Sequence, residues 1–254
     1  MSTTAHAAGD SATRGRHICL PFETGSEKDD ALRAFVHHGL AHGMRCLFVG
    51  AREEYEKLRL ELEGEGGGSL RAESRGALVF RTPDEYYLQD GAFVPEVVLG
   101  RLDRDIKAAL ADGFTGLSAT GGAMTAPSDE VWRQIVWYEA QVNDRFARLP
   151  FIGLCRYPRT TVPSHRVQDV LRTHPVAIVR GESCDNPFYE RPELVLSDDS
   201  QSRVDWQLRQ LWVQHRAQRR LEDKTTSAVT AAVELATELE ALRSTLRDVE
   251  QRRE

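Results

Sequence analysis

The chain has 254 residues, 41% hydrophobic and 7% aromatic, enough for one substantial core with an appendage. A formal charge of −6 argues against a protein that coats nucleic acid, so no direct nucleic-acid partner is expected. No apolar run approaches the roughly 18 residues of a membrane span, and the opening MSTTAHAAGDSATRGR lacks an apolar signal core; a cytoplasmic protein without a membrane partner is expected.

Residues 1–15 read as a disordered tail. HICLPF (17–22) is a buried strand. A helix near 26–42 follows, with Leu32, Phe35, Val36, Gly39 and Leu40 on one face at i, i+3, i+4 spacing. MRCLFVG (44–50) is a second strand and REEYEKLRLELE (52–63) a charged helix. GEGGGSLRAESRG (64–76) reads as a flexible surface loop. Its glycines follow a helix and precede a strand, the wrong order for a dinucleotide fingerprint. ALVFRT (77–82) is a third strand, and TPDEYYLQDGAFVPE (82–96) a turn-rich connector.

A helix over 94–113 leads to strand FTGLSAT (114–120), the loop GGAMTAPSD, and a helix over 129–146 capped by Ser128 or Asp129. LPFIGLCRYP (149–158) is a fifth strand, SHRVQDVLRTH (164–174) a helix and VAIVRG (176–181) a sixth strand. This alternation predicts an α/β fold of three layers around a mostly parallel sheet, spanning 16–196. In such sheets ligands settle beyond the carboxyl ends of the strands.

Residues 197–254 read as one long helix. Leu221, Thr225, Ala228, Ala232, Leu235, Leu239, Leu242, Leu246 and Val249 advance by alternating steps of four and three, a seam broken only by Thr225. So narrow a stripe wants a partner helix, which favours a parallel, homodimeric coiled coil over a helix folded back on its own domain.

A phosphate loop needs several glycines, a lysine placed for the β- and γ-phosphates and a hydroxyl for Mg²⁺. FETGSEKDDAL, after the first strand, offers one glycine, a misplaced Lys28 and repelling acids. The fourth strand ends in Thr120 where a Mg²⁺-binding acid would stand, so ATP hydrolysis is not expected. No H-E-x-x-H or G-x-S-x-G occurs, and Cys19, Cys46, Cys155 and Cys184 form no C-x-x-C pair. Three of these cysteines lie in apolar runs and read as buried small hydrophobes. His38 and His42 share a helix face, but exposure at a helix end is the simpler reading. No catalytic residue, metal site or cofactor is expected. Polar and aromatic residues remain near element ends: His17, Tyr86, Tyr87, Trp137, Tyr138, Glu139, Asn143, Arg156, Tyr157, His174 and DNPFYE (185–190). Together they suit a mixed pocket for a small organic ligand.

HICLPFET, GLAHGMRCLFVG, YYLQDGAFVPE, GFTGLSATG, YEAQVN, LCRYPR, VLRTHP and DNPFYE, in this order over Arg16 to Arg191, resemble the MEDS domain. That sensory domain is named for methanogens, methylotrophs and a dichloromethane-responsive regulator. The resemblance implies a core similar to RecA/KaiC-type ATPases with the phosphate loop lost, and a sensor of small molecules feeding transcription or two-component signalling. The positions matching its motifs are His17, Tyr87, Glu139, Asn143, Tyr157, His174, Asn186, Pro187 and Tyr189. At the fourth strand, TGGAMTAP departs from the acid and aromatic expected of the family.

The function expected is a non-enzymatic sensor that signals through its coiled coil to a protein partner. The alternatives are a degenerate nucleotide binder or ATPase, and a ligand-free scaffold.

Overall fold

The computed structural model describes residues 15–64, 68–122 and 127–251, with the side chains of 244–246 and 248–251 outside the description. The tail expected over 1–15 lies outside the described residues but for Gly15, as do Gly66, Gly67, the centre of TGGAMTAP and the side chains of Leu246 and Val249. The chain divides into two units, Met1–Asp198 and Asp199–Glu254.

The first unit is built on a seven-stranded sheet of order β3-β2-β6-β7-β1-β8-β9. Its strands are β1 (Arg16–Phe22), β2 (Arg45–Val49), β3 (Leu78–Arg81), β6 (Leu117–Gly122), β7 (Phe151–Pro158), β8 (Val176–Val179) and β9 (Glu182–Asp185). All neighbours run parallel except β8 and β9. Helices α1 (Gly25–Ala41), α2 (Arg52–Gly64) and α3 (Ser69–Ser74) cover one face, through Leu32, Phe35, Val36, Tyr55, Leu58, Leu62 and Ala72. The other face is covered by α5 (Pro95–Ala111), α6 (Asp129–Phe146) and α7 (Ser164–Thr173), through Val98, Leu102, Ile106, Trp132, Ile135, Phe146 and Val170. This is the three-layer, mostly parallel architecture that the alternating pattern predicts.

The differences are local. The segment 64–76, expected to be loop throughout, contains α3, whose Ala72 is buried. The connector 82–96 contains α4 (Pro83–Tyr87), capped by Thr82, and a hairpin of β4 (Leu88–Gln89) and β5 (Ala92–Phe93). Beyond the sixth strand the chain turns at Arg180 and Gly181, both at positive φ (53° and 81°), and returns as the antiparallel edge strand β9. A short helix, α8 (Pro192–Val195), follows.

The loop between β1 and α1 closes on itself. Thr24 Oγ1 accepts from the Glu27 amide at 3.2 Å, while the Glu27 carboxylate accepts from the Glu23 and Thr24 amides at 2.9 and 3.1 Å. This capping box uses the chain's own oxygens on N–H groups that a phosphate loop would offer to a nucleotide.

The second unit is α9 (Ser200–Gln251), 52 residues or about 78 Å of helix. Leu221, Leu235, Leu239 and Leu242 are all more than half exposed in the single chain. No described helix is long and apolar enough to cross a membrane.

Candidate functional site

The site begins with strand parity, because successive side chains alternate between faces of a sheet. On β1, Ile18 and Leu20 join the core under α1 and α2, so His17 and Cys19 point to the α6 side. On β7, Ile152 and Leu154 share the α1 face, while Phe151, Cys155 and Tyr157 share the α6 face. The parallel register sets His17 opposite Gly153 and Cys19 opposite Cys155. A Cβ at Gly153 would crowd the Phe151 ring at 2.9 Å and only touch the His17 ring at 3.4 Å, so the glycine leaves room for Phe151 beside the imidazole.

Helix α6 supplies the other half. Its buried stripe is Trp132, Ile135, Glu139, Val142 and Phe146, and Glu139 sits in the middle of it. An ionised carboxylate in an apolar stripe is costly unless donors converge on it. Tyr157 Oη donates to its Oε1 at 2.5 Å, and His17 Nε2 lies 3.0 Å from its Oε2. Burial alone would raise this carboxyl. The hydrogen bond from His17 when its Nε2 is protonated, the charges that His174 and His17 carry once protonated, and the Tyr157 hydroxyl outweigh burial and hold it at about 2. Cys155 Sγ lies 3.4 Å from His17 Nε2 and 3.7 Å from Glu139 Oε2, and burial, then the Glu139 charge, push its thiol well up.

His174 follows the last turn of α7 and is fully buried. Its Nδ1 lies 2.8 Å from the Val170 carbonyl, which can only accept, so Nδ1 carries the proton. Its Nε2 is then a lone pair, 3.7 Å from Glu139 Oε2 and without a hydrogen-bond partner among the described residues. Burial, and then the His17 charge, hold this imidazole down at about 3. The two histidine rings lie 4.0 Å apart.

Asn143, one turn beyond Glu139, fixes the tautomer of His17. Its Nδ2 donates to the Glu139 and Thr173 carbonyls at 3.0 and 2.6 Å, which leaves Oδ1, 3.2 Å from His17 Nδ1, to accept. Both imidazoles therefore carry a proton at Nδ1 and turn Nε2 toward Glu139.

The cluster forms one wall of a cavity of about 40 Å³, lined by Tyr87, Phe93, Trp132, Tyr138, Glu139, Cys155 and Tyr157. A Cβ at Gly121 of β6 would fall 1.7 Å from Tyr87 Oη, so only glycine lets this tyrosine lie across the strand.

The structure thus brings together His17, Tyr87, Glu139, Asn143, Tyr157 and His174, and adds Cys155. The cluster lies within the strands beneath α6 and not beyond the strand ends, where ligands of such sheets were expected. Arg156 is excluded by parity. It points to the α1 face, bonding Glu54 and the Val49 carbonyl at 3.0 and 2.8 Å. Asn186 is a brace: its Nδ2 donates to the Leu171 and His174 carbonyls, both at 2.6 Å, and so holds the His174 backbone. Tyr189 is half-buried, and burial, then the Glu193 charge, raise its hydroxyl to about 12. His42 Nδ1 bonds the His38 carbonyl at 2.8 Å at the exposed end of α1.

A family model described as MEDS, the methanogen/methylotroph, DcmR sensory domain, matches residues 16–175. The chain belongs to the MEDS family. His17, Glu139, Asn143, Cys155, Tyr157 and His174 all fall within the matched MEDS span, whereas Asn186 and Tyr189 lie past it. The MEDS assignment makes this a sensory domain. No match is found among curated proteins. Among solved structures, the chain is similar to the flagellar accessory protein FlaH from Methanocaldococcus jannaschii, with a TM-score of 0.40 and 10% identity, covering 71% of this chain and 82% of that one.

Proposed function

We propose that the α/β unit is the ligand-sensing half of a non-enzymatic, cytoplasmic signalling protein. A small organic molecule enters the cavity beneath α6, packs against Tyr87, Phe93 and Trp132, and meets the polar wall of Glu139, Cys155 and Tyr157. The observation that carries this reading is a buried polar cluster opening onto a small aromatic cavity. One water needs about 10–15 Å³ of such space, so a cavity of about 40 Å³ suits a ligand of two or three heavy atoms. The capped loop at the start of α1 supports leaving nucleotides out of the account.

The output is assigned to α9. Its exposed leucines pair with those of a second copy in a parallel coiled coil, where small shifts of register repack the whole seam. The signal passes to a protein partner in transcriptional or two-component regulation.

The test is thermal unfolding of the full chain against one- to three-carbon alcohols, amines, thiols and halides. One chemical class should raise Tm in a saturable way, and Glu139→Gln should abolish the response. If no class binds the folded wild-type chain, ligand sensing at this cavity is wrong.

A further inference from the structure

Four potential ligand atoms converge under α6: His17 Nε2, a Glu139 carboxylate oxygen, Cys155 Sγ and His174 Nε2, all within 4.8 Å of one another. The hydrogen bonds described above turn Nε2 of both imidazoles toward a carboxylate and a sulfur. A proton on His17 Nε2 would relieve one of these contacts. It would leave His174 Nε2, fully buried, facing the carboxylate with no donor between them. A cation among the four relieves every contact at once.

We propose that His17, Glu139, Cys155 and His174 form a binding site for a divalent transition ion of the zinc type. This goes beyond ligand sensing and does not depend on it.

The separations suit the ion. Bonds of about 2.0–2.1 Å to nitrogen or oxygen and about 2.3 Å to sulfur give tetrahedral edges of about 3.3 Å, or about 3.5 Å where one end is sulfur. Four of the six edges are 3.0 Å for His17–Glu139, 3.7 Å for His174–Glu139, 3.4 Å for His17–Cys155 and 3.7 Å for Cys155–Glu139, and the two from His174 to His17 and Cys155 stay within 4.8 Å. The outer contacts are those that metal-binding histidines make: Nδ1 of one imidazole bonds a backbone carbonyl, and Nδ1 of the other bonds a side-chain amide oxygen. Charge also fits. When the ion binds, the Cys155 S–H bond breaks, its electron pair becomes the metal–sulfur bond and the proton leaves to solvent. Thiolate and carboxylate then balance a charge of +2, so the buried site is neutral overall. A thiolate with two imidazoles selects zinc over magnesium or calcium, which prefer oxygen alone.

Cobalt(II) is the probe, because it takes zinc sites and is coloured. The full chain, stripped with chelator under reductant and free of any affinity tag, is titrated with Co²⁺. One equivalent should produce a thiolate-to-cobalt charge-transfer band and the visible bands of a tetrahedral ion, both erased by Zn²⁺. Cys155→Ser should lose the charge-transfer band, whereas Cys184→Ser, which removes the exposed thiol, should keep it. Circular dichroism keeps the result independent of misfolding. A folded wild-type chain without a stoichiometric band overturns the proposal, and so does a band that survives Cys155→Ser.

Discussion

Arg156 stands on one face of β7, Cys155 and Tyr157 on the other, and each face buries charge in a differently completed network. On the α1 face, the Arg156 guanidinium bonds the Glu54 carboxylate and the Val49 carbonyl, its Cζ 4.9 Å from the centre of the Phe48 ring, while Lys28 also reaches Glu54. Two cations share one carboxylate there and Arg156 Nε lacks a partner among the described residues, but each contact made sets a donor against an acceptor. On the α6 face, a proton on His17 Nε2 or on Cys155 Sγ can meet the Glu139 carboxylate, but the lone pair of His174 Nε2 has no partner among the described residues. Donors set against acceptors make a brace. A buried lone pair turned toward a carboxylate makes a site that wants a cation brought to it.

Acid separates the two faces most strongly, and the expectation is for protein kept in chelator. His174 is held at about 3 against 6.5 for an ordinary histidine, so the unfolded chain takes up its proton first. The stability this supplies is full above pH 6.5 and is lost as pH falls toward 3. Glu139, held at about 2 against 4.5, adds a loss that begins below 4.5. Glu54 is lowered too: burial opposes the shift, and Arg156 and Lys28 outweigh it, so the α1 face also loses stability only below 4.5. Denaturant midpoints between pH 7 and 4.5 should therefore fall in the wild type and flatten in His174→Gln. If the His174→Gln slope matches the wild type, the lone-pair account of His174 fails.

The converse substitution acts on the brace. Arg156→Met keeps contact with Phe48 but strands Glu54 and the Val49 carbonyl. It should cost about 3 kcal/mol at neutral pH, tempered because Glu54 can still pair with Lys28 and reach water. It should leave the slope between pH 6.5 and 4.5 and the cobalt titration unchanged. A lost cobalt band in folded Arg156→Met would mean that the two faces are not independent.

The contrast also explains what the sequence could reveal. Six strands and the long helices were legible because each carries a long apolar run or stripe. Strand β9, ESCD, is exposed throughout and carries no apolar signal; its place is set by the positive-φ turn at Arg180 and Gly181. Glu139 was legible as the one charge in the stripe 132, 135, 139, 142, 146, and His17 as a polar opening to a buried strand. Strand parity was the available signal that went unused. Arg156 and Tyr157 are consecutive, so they cannot line one pocket from one strand. Tyr157 admits Cys155 instead, which its apolar surroundings made look inert. The convergence of His17 with His174 has no local signature, since it depends on β1 pairing with both β7 and β8.

Asn143 offers the finest cut, because it touches the site only through others. Its amide spans two backbone carbonyls and the His17 imidazole, so the orientation of Oδ1 is fixed before any ligand arrives. Asn143→Leu keeps the volume but leaves the Thr173 carbonyl without that donor and frees His17 to exchange tautomers. The cost in stability should be only about 1 kcal/mol, the worth of one or two lost hydrogen bonds. Cobalt affinity should drop 10- to 100-fold, the usual penalty for losing an outer-sphere partner, with the charge-transfer band retained at saturation because Cys155 is untouched. Asn143→Asp, which still offers an oxygen to His17 Nδ1, should recover most of that affinity. Equal affinities in wild type and Asn143→Leu would show that the amide braces the backbone and does not set the imidazole, leaving the direction of His17 Nε2 to packing against the His174 ring.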